Sequence, residues 1–164
     1  MTMHQRATQL IDTLGLLPHP EGGFYREIFR SPSTVSPQDA RGTRSALTSI
    51  YFLLIADSWS RWHKVTSDEA WHLYEGGPLE LLELDPTGRT LEKRVLGRVG
   101  DDNAGPVHVV TAGRWQAARP LGEYALMGCT VGPGFEFADF TMLSDDAAMT
   151  STVRSAWPEL AFLV

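Results

Sequence analysis

The sequence contains a single cysteine, Cys129, among 164 residues. One thiol excludes a disulfide within the chain and indicates a reducing compartment. The apolar segments on either side of Cys129 are typical of a buried strand. We therefore expect the thiol to pack as a small core residue.

Long apolar runs are absent as well. The longest, residues 50–56, ends at Asp57 and is far shorter than the roughly 20 residues that a membrane-spanning helix needs. Residues 1–17 carry polar side chains throughout, so they do not resemble a secretory signal peptide. These features predict a cytoplasmic protein with no membrane partner.

Positive charge is scarce, with 14 Lys and Arg against 20 Asp and Glu and a net charge of −6. Without a Lys/Arg cluster, the chain would repel phosphate backbones, so we expect no nucleic-acid partner. Charged residues at 21% and hydrophobic residues at 43% are typical of a folded globular protein. The length suits a single domain over residues 1–164.

Short alternating segments separated by turn residues fill most of the chain. The predicted strands are 24–29, 45–55, 61–66, 70–74, 79–84, 91–97, 107–111, 115–118, 124–131 and 135–142. This spacing predicts an all-β sandwich or barrel with its core over residues 20–143. Helical periodicity predicts a short helix over residues 3–14 that ends at Gly15, and a second short helix before Pro158.

A histidine and a carboxylate are brought together by strand alternation near the middle of the chain. His63 and Val65 point to one face of their strand, and Glu69 and Trp71 share a face of the next. If the barrel interior takes the face of Glu69, the two polar groups meet inside and His72 points away. A histidine beside a buried carboxylate keeps one tautomer and titrates near neutrality, so His63 and Glu69 are the candidate catalytic pair.

The spacing of His63, Glu69 and Gly76 resembles the first motif of the cupin superfamily, H-x-H-x3-E-x6-G, with Val65 at the second histidine position. Residues 111–116 resemble the second motif, P-x-G-x2-H-x3-N, with Gln116 in place of its histidine. Cupins use these histidines and the glutamate as metal ligands. Because two ligands are replaced, the resemblance implies no tightly bound metal, and a divalent metal at His63 and Glu69 is the alternative.

A wider resemblance covers residues 10–143. It is to the small uncharacterised cupins catalogued as a domain of unknown function, the fifth cupin family. The segments that carry it are 19–25, 60–63, 67–72 and 131–140. The resemblance implies a double-stranded β-helix (the cupin jelly-roll barrel) and a homodimer, with no settled reaction. The strand at 24–29 and the apolar end at 160–164 also need covering, which favours a homodimer.

The predicted ligand-binding residues are Tyr51, Trp71, Gln116 and Arg119. Trp71 shares the inward face with Glu69, and Gln116 stands at a motif position. Tyr51 is a candidate acid by residue type alone. Arg119 reaches the pocket only if the chain turns beside it.

Three functions remain open. The first is a cupin that binds a small polar metabolite and isomerises or epimerises it through His63 without a metal, as in the metal-free dTDP-sugar 3,5-epimerases that the barrel resembles. The second is a metal-dependent dioxygenase or decarboxylase. The third is a non-catalytic ligand-binding or storage-like module. The replaced ligands favour the first over the second, whereas the sequence does not separate the first from the third.

The glycine-containing segment 20–23 is predicted to be a turn with positive φ angles. Glu21 in this turn is expected to pair with Arg26 on the following strand, with ligand contact as the alternative. His19 and His108 have no partner pattern and receive no role.

Overall fold

Two six-stranded sheets build this computed structural model, which describes residues 3–101 and 104–164. The strands are β1 (Leu17–Pro18), β2 (Phe24–Arg30), β3 (Thr34–Val35), β4 (Arg44–Ser45), β5 (Thr48–Ile55), β6 (Ser60–Val65), β7 (Asp68–Gly76), β8 (Leu79–Leu84), β9 (Leu91–Leu96), β10 (Ala104–Gly105), β11 (Val107–Val110), β12 (Trp115–Pro120), β13 (Tyr124–Gly132) and β14 (Phe140–Met142). The α-helices are α1 (Gln5–Leu14) and α2 (Ala147–Ala156), and 3-10 helices span Phe137–Asp139, Leu143–Asp145 and Pro158–Leu163.

The strand order defines an all-β jelly-roll barrel, which confirms the predicted fold class. The first sheet has the order β1-β2-β5-β13-β7-β11, and the second has the order β10-β9-β8-β12-β6-β14. Within these sheets, neighbouring strands are antiparallel except for β9 and β10, which are parallel. Strands β3 and β4 form a separate small ladder.

The two sheets pack through a core that fills one part of the barrel. Phe52 and Trp71 from the first sheet meet Leu79 and Leu81 from the second, all at most 1% exposed. This packing closes one part of the interior and leaves the remainder, around the buried polar residues, to form a cavity.

Helical segments cover the outer faces of both sheets. Ala7 and Leu10 of α1 pack against Leu53 of the first sheet. The C-terminal 3-10 helix buries Leu160 and Leu163 against the second sheet. The apolar C-terminal end is therefore covered within the chain and does not need a subunit interface for its burial. No helix within the described residues is long and apolar enough to cross a membrane.

The predicted strand over residues 135–142 is wrong. The structure has a 3-10 helix at Phe137–Asp139 and only the short strand β14 after it. Asp139 is buried and accepts two hydrogen bonds from Arg44, at 2.8 and 2.9 Å, which hold the chain in a turn there. The predicted N-terminal helix is confirmed, and Gly15 ends it with a left-handed φ of 62°.

Candidate active site

A cavity of about 130 Å³ lies inside the barrel. Its polar inner lining consists of His19, Glu21, Thr48, His63, Glu69 and Cys129. Its other lining residues are Tyr25, Glu27, Arg30, Ile50, Phe52, Val65, Val131, Phe135, Glu136, Phe137 and Phe140. An engineered cavity of ~150 Å³ is known to hold one benzene ring, so this space suits a ligand with a single ring or its equivalent.

The imidazole of His63 is held in one tautomer. His63 lies on β6 and is 2% exposed, and its Nδ1 lies 2.7 Å from the carbonyl oxygen of Arg61. A carbonyl oxygen can only accept, so Nδ1 carries the proton and Nε2 keeps its lone pair. Phe140 stacks on the ring at a centroid distance of 5.3 Å. Burial lowers the pKa of His63 below its ordinary value, so the ring is neutral at pH 7.

Glu69 is held by a chain of hydrogen bonds from the barrel core. The indole N–H of Trp71 donates to Gln116 Oε1 at 3.0 Å, and Gln116 Nε2 donates to Glu69 Oε2 at 2.5 Å. The indole donor fixes the orientation of the amide, because only the amide oxygen can accept it. Burial raises the pKa of Glu69 to about 7. This carboxyl can therefore hold or release a proton at neutral pH.

A third polar element, the turn at residues 19–23, places Glu21 against His63. Glu21 Oε2 lies 3.3 Å from His63 Nε2 and 3.5 Å from His19 Nδ1. The hydroxyl of Ser60 donates to Glu21 Oε1 at 2.8 Å. The predicted pair between Glu21 and Arg26 is wrong, because the Arg26 guanidinium donates instead to the backbone carbonyl of Leu14.

Glycine geometry allows this turn to enter the barrel. Gly22 has a φ of 117°, and a Cβ at this position would overlap the backbone carbonyl oxygen of Trp59. The Arg61 backbone N–H and its guanidinium bind the carbonyl oxygens of Glu21 and Pro20, at 2.9 and 2.6 Å. The turn therefore packs against the start of β6, where Arg61 lies two residues before His63.

Three acceptor atoms face one another at the inner end of the cavity. His63 Nε2 carries a lone pair, and His19 Nδ1 accepts the backbone N–H of Glu21 at 3.3 Å. Both nitrogens face Glu21 Oε2, so a proton is needed on one of the three groups to relieve the repulsion of their lone pairs. Burial raises the pKa of Glu21 and lowers the pKa of both imidazoles. Burial therefore disfavours the charged form of all three groups.

The structure separates the six predicted site residues into three groups. His63 and Glu69 line the cavity, as expected from strand alternation. Gln116 and Trp71 lie behind Glu69, where they orient its carboxyl instead of forming the cavity wall. The other two predicted residues lie elsewhere.

Tyr51 and Arg119 are not at the cavity, which corrects their expected placement. Tyr51 lies on the outer face of β5 under α1, because its neighbour Phe52 takes the inner face. Arg119 donates to Glu80 at 2.6 Å on the outside of the second sheet. Strand β12 runs on to Pro120 without the turn that would have brought Arg119 inward.

The sequence predictions gave His19 no role and left ligand contact as one of two alternatives for Glu21. Their segment carried a signal, since it was one of the four that resembled the fifth cupin family. His63 lies about 40 residues after them in the sequence. The contact between these segments depends on tertiary packing, which neither the alternation of residues along a strand nor a local motif encodes.

The side chains of the site do not fit a bound transition metal. Val65 has no donor atom, and both amide atoms of Gln116 are engaged with Trp71 and Glu69. Within residues 3–101 and 104–164, no group of three or more His, Cys, Asp and Glu is arranged to hold a metal ion.

Comparison with known proteins places the chain in a family. The family model described as "Cupin superfamily (DUF985)" matches residues 8–143. The chain belongs to this family. This confirms the family suggested by the sequence motifs, and with it the double-stranded β-helix.

Relatives of this DUF985 cupin extend over nearly the whole chain. The uncharacterized protein YML079W of Saccharomyces cerevisiae is 31% identical over 173 residues, which cover 94% of this chain and 84% of the relative. Protein SO0799 from Shewanella oneidensis is 31% identical with a TM-score of 0.80, covering 100% of this chain and 96% of that chain. A hypothetical protein from Leishmania major is 28% identical with a TM-score of 0.82 and 96% coverage of both chains.

The raised pKa of Glu69 predicts a pH dependence of stability. An unfolded glutamate ionises near pH 4.5 and folded Glu69 near pH 7, so between these values unfolding releases a proton. The stabilisation from protonated Glu69 is complete below pH 4.5 and is lost as the pH rises through 7. The variant Glu69→Gln has no carboxyl to titrate at this position. As the pH rises from 4.5 to above 7, the free energy of unfolding of the wild type should therefore fall by roughly 3 kcal/mol relative to that of Glu69→Gln.

Urea unfolding of both proteins between pH 4.5 and 8 measures this difference. The contributions of His19, Glu21 and His63 are common to both proteins and largely cancel in the comparison. Parallel stability curves for the two proteins would show that folding does not raise the pKa of Glu69.

Proposed function

We propose that this cupin binds a small polar metabolite in the barrel cavity and acts on it by acid–base chemistry through His63, without a metal. The observation that carries the proposal is a neutral imidazole, fixed in its tautomer, in one cavity with the buried carboxyl groups of Glu21 and Glu69. Burial raises the pKa of both carboxyls, that of Glu69 to about 7, so His63 and Glu69 form an acid–base pair. Such a pair contains both a base and an acid at neutral pH.

An isomerase or epimerase reaction uses this pair without net consumption of protons. In the first step His63 Nε2 takes a proton from a C–H bond of the bound molecule, and the electron pair of that bond remains on the ligand. In the second step a neutral carboxyl, Glu21 or Glu69, donates a proton to the ligand to form the new C–H bond. Proton transfer from His63 to the carboxylate then restores the starting state.

Solvent exchange tests the proposed function directly. A library of uncharged, cationic and anionic metabolites is first screened for compounds that raise the melting temperature. Each binder is then incubated with the protein in D₂O, and its spectrum is followed by NMR. We expect a bound compound to incorporate deuterium at carbon or to convert to an isomer. Binding without exchange or turnover would overturn the catalytic part of the proposal and support a binding module.

The altered ligand set predicts a low metal content. The purified protein should contain far less than one Zn, Fe, Mn or Ni ion per chain, as measured by elemental analysis after mild purification. Gln116→His should raise metal affinity, because it adds an imidazole beside His63 and Glu69. As a control, His63→Gln in the Gln116→His background should remove the gain. About one metal ion per wild-type chain would favour the metal-dependent alternative.

We also propose a homodimer, located in the cytoplasm. Strand β1 has only two residues, so it covers little of the edge of β2, where Ile28 and Phe29 are 44% and 48% exposed. An isologous contact between two such edges would bury both. The single buried Cys129 agrees with a reducing compartment.

Light scattering measures the subunit number. The expected mass is about twice 18.1 kDa, and Phe29→Lys should lower it toward the mass of one chain. Leu121→Lys provides a control, because Leu121 is similarly exposed at 50% but lies in the turn between β12 and β13. A mass of one chain that does not change on concentration would contradict the dimer.

A further inference from the structure

We infer that the cavity takes a small organic cation, a primary ammonium group attached to one apolar ring. This inference rests on the proposed binding function and specifies the chemical class of its ligand. Hydrogen-bonding capacity, charge and wall composition support it independently.

The inner end of the cavity is rich in acceptors. Glu21 Oε2 lies 3.3 Å from His63 Nε2, and neither atom accepts a hydrogen bond from another of the described residues. Two donors beside the carboxyl groups are already engaged, since the Ser60 hydroxyl binds Glu21 and the Gln116 amide binds Glu69. An ammonium group carries three N–H donors and no acceptor, which complements this arrangement.

The charge of the lining also selects against anions. Four carboxyl groups line the cavity, those of Glu21 and Glu69 inside and those of Glu27 and Glu136 near Arg30. Arg30 is the only lysine or arginine of the lining in the described residues, and its guanidinium is already bound. It contacts Glu27 at 2.8 and 3.0 Å and Glu136 at 2.8 Å. A carboxylate or phosphate ligand would therefore find no free cation among the described lining residues.

A cation changes the protonation of the inner carboxyl groups. Glu69 faces Glu21, His63, Gln116 and the Cys129 thiol, so no fixed positive charge stabilises its carboxylate. A bound ammonium supplies that charge and favours loss of the carboxyl proton. Binding should therefore release protons to the solvent. An uncharged alcohol can form hydrogen bonds at the same place, but it lacks this electrostatic attraction and should bind more weakly.

The aromatic lining and the volume of the cavity indicate what the ligand carries besides its ammonium group. Tyr25, Phe135, Phe137 and Phe140 contribute aromatic rings to the lining. Aromatic faces attract cations and also pack against apolar rings. The volume of about 130 Å³ is close to the space that one six-membered ring requires.

Three probes with one aromatic ring test the inference, and their head groups are cationic, uncharged and anionic. Benzylamine, benzyl alcohol and benzoate are titrated into the full-length protein by calorimetry at pH 7.5, in two buffers with different ionisation enthalpies. We expect benzylamine to bind about ten-fold more tightly than benzyl alcohol, with proton release, and benzoate not to bind.

Carboxyl variants assign the effect to the cavity. Glu21→Gln and Glu69→Gln should each weaken benzylamine binding by about ten-fold and change benzyl alcohol binding little. Two independent variants keep the test valid if one of them folds poorly. Glu80→Gln is the control, because Glu80 pairs with Arg119 outside the cavity and its loss should not affect binding.

Benzoate binding as tight as that of benzylamine, or equal affinity for amine and alcohol, would overturn the inferred ligand class. The proposed function would still stand if an uncharged or anionic compound from the metabolite library bound and underwent proton exchange that depends on His63. If no compound of any charge bound, the inference and the proposed function would both be wrong.

Discussion

Replacing His63 with Gln should lower the rate of proton exchange or isomerisation of a bound ligand by about 10²- to 10⁴-fold. The amide cannot take a proton at neutral pH, so the base is lost. Ligand affinity should change much less, because the carboxyl groups and the aromatic walls remain. The rate is measured by NMR in D₂O, with the compound that stabilises the protein most in the thermal screen.

His72→Gln is the matched control for this variant. His72 lies on β7 between the inward residues Trp71 and Leu73, so its side chain points to the other face of the first sheet. Its replacement should leave the exchange rate unchanged. Equal losses in both variants would indicate a general structural effect, and an unchanged rate in His63→Gln would exclude His63 as the base.

Gly22→Ala should lower the free energy of unfolding by more than about 3 kcal/mol. The φ of 117° is unfavourable for a residue with a side chain, and the added Cβ would overlap the carbonyl oxygen of Trp59. Because this obstacle is backbone, a side-chain rotation cannot relieve it. The turn would have to move, and Glu21 would move away from His63.

Gly42→Ala separates the overlap from the backbone strain. Gly42 also has a positive φ, of 76°, but a Cβ there would meet no atom within 4 Å. Its loss should be limited to about 1 kcal/mol. Urea unfolding measures both variants. Similar losses for the two would show that the turn at residues 19–23 does not pack against Trp59 as the structure describes.

The alternation of residues along the strands and the spacing of the motifs predicted the parts of the site that are local in sequence. The alternation of residues around the β6–β7 turn brought His63 and Glu69 to one interior, and the second motif placed Gln116 next to them. The alternation of residues along β5 did not show which of Tyr51 and Phe52 faces the interior, because both are aromatic and either could face inward. Only the packing of α1 on the outer face decides between them.

The remaining parts of the site depend on contacts between distant segments. Glu21 reaches His63 because Gly22 lets the turn approach Trp59 and because Arg61 binds the backbone of that turn. Phe140 stacks on His63, and the neighbouring Asp139 is held by Arg44. The pattern of residues 135–142 resembles a strand, and the arginine that pairs with Asp139 lies 95 residues away in the sequence.

The protonation of His63 can be measured without any ligand. Long-range ¹H–¹⁵N correlation spectra of ¹⁵N-labelled protein report which ring nitrogens carry a proton, and His63→Gln assigns the signal. At pH 7 we expect a neutral ring with the proton on Nδ1 and an unprotonated Nε2. At pH 6.5, the ordinary pKa of histidine, the ring should still be mainly neutral, because burial lowers the pKa of His63. A ring protonated on both nitrogens at pH 7, or protonated on Nε2 alone, would contradict the assignment of His63 as the base.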